Sequence, residues 1–322
     1  MAALIETVNS LPRSQALSSL RQKPMCGVGR YPRNVQSVAI RLDPAEWVAH
    51  EQAHAARADE LTRGWRERAG TGQRHPVDDY LYTYYPYKPR QLRRWHPGAN
   101  VVLTDAAATP RAEWKWYRSD ADGVRVDAQA FHLANERTIR FISRLLSGTA
   151  TRSAQFGCFG LHEWAMVYRA DDTRHDVPLR LGQRGTDEVV DANPVKCSHF
   201  DAFRFFTPDA VSKNALAPTR ENQPLLEQSG CLHAGMDVYK WATKLVPLVP
   251  GDLLLDCFEL AREIRELDMR ASPYDLSEWG YSPVAIETTD GKAEYVRQQR
   301  GFAARGDQLR ERVVAAISAP IS

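Results

Sequence analysis

Three histidines of this chain stand in apolar surroundings, each with a carboxylate close by in sequence. His162 sits beside Glu163 in "FGCFGLHEWAMVYR", and His199 comes two residues before Asp201 in "VKCSHFDAFRFF". His233 precedes Asp237 by one helical turn in "SGCLHAGMDVYKWATKLVPLVPG". A buried polar group without a hydrogen bond costs roughly 2–7 kcal/mol, and a lone buried charge costs more, so each of these side chains needs a partner or a metal. Three imidazoles supplied by three helices, with Asp201, Asp237 or Glu163 nearby, offer the donors of a zinc site or of a non-haem iron site. His132, with Glu136 one turn on, is a fourth candidate ligand. No spacing names the metal, because HEXXH is absent around His162 and the paired EXXH pattern of di-iron bundles is missing. Without a metal, the same groups could form a polar active site. Asp237, Glu163 or Asp201 would then be the catalytic carboxylate, with His233 or His162 as the catalytic partner that orients it. The third reading is structural, with each histidine bonded to a neighbouring carboxylate or carbonyl to hold helices in register.

A second candidate region is "HPVDDYLYTYYPYKPRQLRRWHPG", residues 75–98, where tyrosines alternate with basic residues. Aromatic rings stack bases and guanidinium groups hold phosphates, so Tyr85, Tyr87, Arg90, Arg93, Arg94 and Trp95, joined by Trp164, are candidate substrate contacts. Segment 80–96 is the candidate DNA contact; the plainer alternative packs the tyrosines inward and leaves the arginines in water. Gly182 and Gly185, with Arg180 and Arg184, have some character of a phosphate loop but match neither GxGxxG after a strand nor the Walker A pattern. No GxSxG is present.

The elements that must position these groups are mainly helical. Asp43-Pro44 starts a charged helix that ends at Gly70, on which His50 and His54 read as surface histidines. Short β-like runs separated by turns fill residues 99–127. Phe131, Ile139, Ile142 and Leu146 repeat at helical spacing, and Phe156 to Arg169 reads as a mostly buried helix. Arg174 to Val195 reads as polar turns, and Ser198 as the cap of a helix through Phe206. The His233 helix is followed, after Pro247 and Pro250, by a helix with the apolar stripe Leu253, Leu260, Ile264 and Leu267. Its acidic residues Glu259 and Glu263 read as a solvated stripe. A charged helix covers about 291–318. The expected architecture is a mainly α helical bundle with a small β-hairpin or sheet insertion near residues 99–127. Residues 1–40 form an N-terminal extension and 41–322 a single domain.

Composition sets limits. With 42 Lys plus Arg against 40 Asp plus Glu, the chain is no polycation, so any DNA affinity must be local. Its five cysteines show no CxxC spacing, which argues against a disulfide framework and fits a reducing cytoplasm. No apolar run is long enough for a secretion signal or a membrane span.

The 75–98 segment, "FGCFGLHEWAMVYR", "KCSHFDAFRFFTP", "GCLHAGMDVYKWATKLVPLVP" and "DCFELAREIRELDMRASPYDL" together resemble an actinobacterial family usually catalogued as "3-methyladenine DNA glycosylase". That resemblance implies a DNA-repair N-glycosylase acting on alkylated purine bases, and it carries over no catalytic residue. The alternatives read from the residues are a non-haem iron or zinc oxygenase or hydrolase acting on a small molecule, and a non-catalytic helical protein with a structural polar core.

Overall fold

The computed structural model describes residues 39–173 and 176–318; all but the last two residues of the expected extension lie outside them. Helix α1 (Pro44–Ala69) begins where Asp43 and Glu46 exchange side-chain-to-backbone hydrogen bonds of 2.9 Å, with Pro44 pre-setting the first turn. Four short strands form one sheet in the order β1 (Ile40–Leu42), β2 (Val101–Leu103), β4 (Gly123–Val126), β3 (Tyr117–Asp120). The expected insertion is there, but it recruits β1 from before α1, paired parallel to β2, while the other pairings are antiparallel.

The remaining long helices are α2 (Ala128–Thr151), α3 (Gly182–Ala192), α4 (Leu232–Thr243), α5 (Gly251–Arg270) and α6 (Thr289–Ser318). Helix α2 turns the stripe of Phe131, Ile139, Ile142 and Leu146 into the core. It kinks at Asn135, whose side-chain amide donates to the Phe131 carbonyl at 2.9 Å. Helices α4 and α5 make the most extensive helix contact among the described residues. Gly235 permits their approach, since a Cβ there would stand 2.8 Å from Ile264 Cδ1. Every residue of α4 from Leu232 to Tyr239 is buried, which is why that helix has no polar face.

Four sequence expectations need correction. Within Phe156–Arg169 only Leu161–Ala165 is helical, because the chain turns at Gly160 with φ 74°. The stretch read as polar turns contains α3, and the Ser198–Phe206 helix shrinks to Phe200–Phe203. His54 is buried rather than exposed, its Nε2 lying 2.9 Å from the Leu92 carbonyl. Gly251 makes the room, for a Cβ there would meet the His54 ring at 2.9 Å.

Two outcomes follow from this packing. Ile264→Ala removes a fully buried side chain from the α4–α5 seam and should cost about 2–5 kcal/mol, read as a lower urea midpoint with an unchanged slope. His96 is buried between Arg111 and Arg94, and burial followed by those charges pushes its pKa down to about 3. The unfolded chain therefore binds this proton below about pH 6.5 while the folded chain refuses it, so stability is lost as pH falls through that window. His96→Phe should flatten the stability–pH curve between pH 6 and 4 by up to about 1.4 kcal/mol per unit, measured by urea titration at each pH.

Candidate metal centre

The buried histidines converge in two adjoining sets. In the first, Leu161–Ala165 supplies His162 and Glu163, α4 supplies His233 and α5 supplies Asp268. His162 Nε2 lies 2.9 Å from Asp268 Oδ1 and 4.0 Å from Glu163 Oε1, and the His162 and His233 rings meet edge to face at 4.5 Å between centroids. In the second set, His199 at the start of the Phe200–Phe203 turn faces Glu227, which follows the turn Gln223–Leu226, and Asp237 from α4. His199 Nε2 lies 3.3 Å from both Glu227 Oε1 and Asp237 Oδ2. The two sets touch where the His199 and His233 rings stack at 5.3 Å. Within each set, one donor atom per residue lies within 4.8 Å of all the others, the spacing a metal ion's ligands require.

Side chains around the donors fix their orientation. Tyr85 Oη donates to Asp237 Oδ1 at 3.0 Å, and Lys240 donates to Asp237 and to Asp201 at 2.8 Å each. Arg265 Nη1 stands 3.3 Å from Asp268 and 3.6 Å from Glu163. Gln223 donates to Glu227. Glu163, Asp268, Glu227 and Asp237 are all buried; the buried Arg265 faces Glu163 and Asp268, the half-buried Lys240 is shared between Asp237 and Asp201, and the buried Arg310 acts on Glu227. Protons on the histidines or a metal can supply further positive charge to these carboxylates.

The titration tendencies follow. Burial works against a charged His162, but Asp268 overrides it and holds the pKa well above the ordinary value. His199 is likewise raised, against burial, by Asp237 and Glu227. His233 goes the other way, down to about 3, because burial is reinforced by the neighbouring His162. Burial pushes Glu227 up, whereas Lys240 and His199 hold Asp237 below the usual carboxylate range despite its burial. Geometry adds a further detail: His199 Nε2 is shared between Glu227 and Asp237 without aligning on either, and Nδ1 of His199 and of His233 has no hydrogen-bond partner.

A narrow cavity reaches this centre past Cys158, His162, Cys197, Cys231, His233 and Gln299. Its free space of about 10 Å³ is the scale of one water molecule or ion. Burial raises the Cys197 and Cys231 pKa values, so these neighbours stay neutral thiols.

Of the residues expected to act, His162, His199, His233, Glu163 and Asp237 come together. Asp201 stands one step outside, held by Lys240, Arg220 and Arg204. His132 belongs to neither donor set and sits half-buried on α2. The expected stacking surface is not assembled: Trp164 is fully buried with Nε1 donating to the Ala271 carbonyl at 2.8 Å, and Trp95 is buried against His50 and Arg111. Tyr87 packs edge-on to Tyr239, Arg93 pairs with Asp59, Arg94 covers Trp114, and Arg90 is exposed. Near Gly182, Arg180 binds Glu287 and Arg184 binds Glu188, so those arginines are paired within the chain.

Glu227 and Asp268 are candidate donors that the sequence reading does not single out. Asp268 had a signal, since it continues the four-residue spacing of Leu260 and Ile264 and so points into the core. Glu227 had none, lying in the irregular stretch "ENQPLLEQSG". No protein-family model, curated protein or solved structure compared with this chain matches it. Lys240→Met leaves the buried Asp237 without its cation and should destabilise the metal-free protein by about 3–5 kcal/mol, seen in urea unfolding.

Proposed function

We propose that this chain is a metal-dependent enzyme acting on a small molecule, with one ion among His162, Glu163, His233 and Asp268 and a second among His199, Glu227 and Asp237. One observation carries the reading: His199 is fully buried, its Nε2 is shared between two carboxylates at 3.3 Å rather than aligned on either, and its Nδ1 has no hydrogen-bond partner. A structural polar core would align such groups as donor and acceptor, whereas ligands of a common ion aim their lone pairs at the same point.

Imidazole and carboxylate donors suit iron or zinc, and either ion supplies Lewis acidity to a bound water or other small reactant. This chain's own contribution is positional. Tyr85 and Lys240 fix Asp237, Arg265 fixes Asp268, and the apolar faces of α4 and α5 keep bulk water out. Base excision from DNA has no comparable support, because the aromatic rings of segment 80–96 are engaged in packing and its Arg93 in an ion pair.

Elemental analysis of tag-free protein tests the proposal. About two ions of iron or zinc per chain are expected, with His199→Ala and Asp268→Asn each losing about one. Folded, active protein free of metal would sink the reading. Metal affinity should also rise with pH, since protons compete for the same imidazoles and carboxylates.

A further inference from the structure

Arg265 reaches in two directions. Its Nη1 approaches the metal-ligand carboxylates of Asp268 and Glu163, while Nη2 donates to the Pro76 carbonyl at 3.4 Å and the guanidinium lies 4.1 Å from the centre of the Tyr80 ring. Pro76 and Tyr80 are walls of a separate cavity of about 500 Å³, the size that takes a small organic ligand. One buried side chain thus touches both the centre and the walls of a ligand-sized space.

The cavity's lining has a definite chemistry. Trp279 gives it an aromatic wall and Tyr80 an aromatic edge, the Tyr80 ring being stacked on Tyr84 and covered by Arg265, and Arg74 and His75 are adjacent donors in its lining. Arg74 forms no ion pair among the described residues. His75 Nδ1 accepts the Asp78 backbone N–H at 3.1 Å, so its own proton resides on Nε2. Of the acidic lining residues, Asp79 is committed to Arg68 and to the His75 backbone N–H, and Asp176 is exposed. Two adjacent donors beside aromatic walls match a carboxylate attached to a flat ring.

We infer that this cavity binds the organic substrate of the metal centre and that the substrate is a small aromatic carboxylate, its ring against Trp279 and the edge of Tyr80 and its carboxylate on Arg74 and His75 Nε2–H. The substrate role rests on the metal reading; the carboxylate site does not. Arg265 is then a positioning residue between substrate wall and metal ligands.

The test uses the full chain and three ring probes: benzoate, benzamide and benzylamine. Ligand-observed NMR should show benzoate binding at least about tenfold tighter than benzylamine, with Arg74→Ala and Trp279→Ala each weakening benzoate about tenfold. Arg74 is exposed, so its variant should fold as the parent does. In protein loaded with cobalt(II) in place of zinc(II), the ring protons of bound benzoate should relax faster, and Arg74→Ala should remove that effect. Equal binding of benzylamine, or benzoate binding that Arg74→Ala leaves unchanged, overturns the inference. Benzoate binding that persists in Arg74→Ala but needs metal would be direct ligation and also overturns it. Arg74-dependent binding without cobalt enhancement would remove the link to the metal, whereas a chain that holds no metal by elemental analysis fails the metal reading alone.

Discussion

Carboxylate charge held in the apolar seam between α4 and α5 is the constraint around which the rest of this molecule is arranged. Asp237 and Asp268 project from two helices whose surroundings are otherwise leucine, isoleucine, methionine and aromatic rings. Charge in such a place must be neutralised locally, and the chain brings cationic, hydroxyl and imidazole groups to it from distant segments. Tyr85 comes from the segment between β1 and β2, His162 from a single helical turn and His199 from the start of another, while Glu227, from the approach to α4, adds a further buried carboxylate beside His199. The convergence ties these short segments to α4 and α5, because each contributes a buried polar side chain to the centre.

The same constraint decides which features were legible in the sequence. The long helices could be read because their apolar positions repeat and their ends carry Asp-Pro or Pro-Gly signals, as at α1 and α5. His162, His199 and His233 were legible as site residues for a related reason: a histidine in an apolar run needs a partner whatever the fold. The segments between helices were harder. His162 stands on a single turn rather than a long helix because Gly160 bends the chain just before it, and apolar composition alone does not reveal that bend. Glu227 was illegible because a buried carboxylate on an irregular stretch leaves no periodicity. The aromatic and basic segment looked like a surface for bases, yet rings that pack inward and rings that stack on a ligand have the same composition. Only their neighbours in space distinguish the two.

Helix α5 shows how one element serves both the core and the surface. Its inner face carries Arg265 and Asp268 at the centre. Its outer acidic residues are latched to neighbouring helices: Asp256 and Glu259 to Arg57 of α1, Asp256 also to Arg312 of α6, and Glu263 to Arg305 of α6. The stripe that looked solvated is thus a line of interhelical ties, and Glu263 faces α6 rather than the interior.

These two faces differ in how they respond to ionic strength. The outer ties are partly exposed and lie within reach of dissolved ions, whose screening acts over about 8 Å at physiological salt. The inner groups are shut away from those ions. Salt would therefore loosen the grip of α1 and α6 on α5 while leaving the charge balance between Arg265, Asp268 and His162 nearly unchanged, so the protein can soften at its periphery without disturbing its centre.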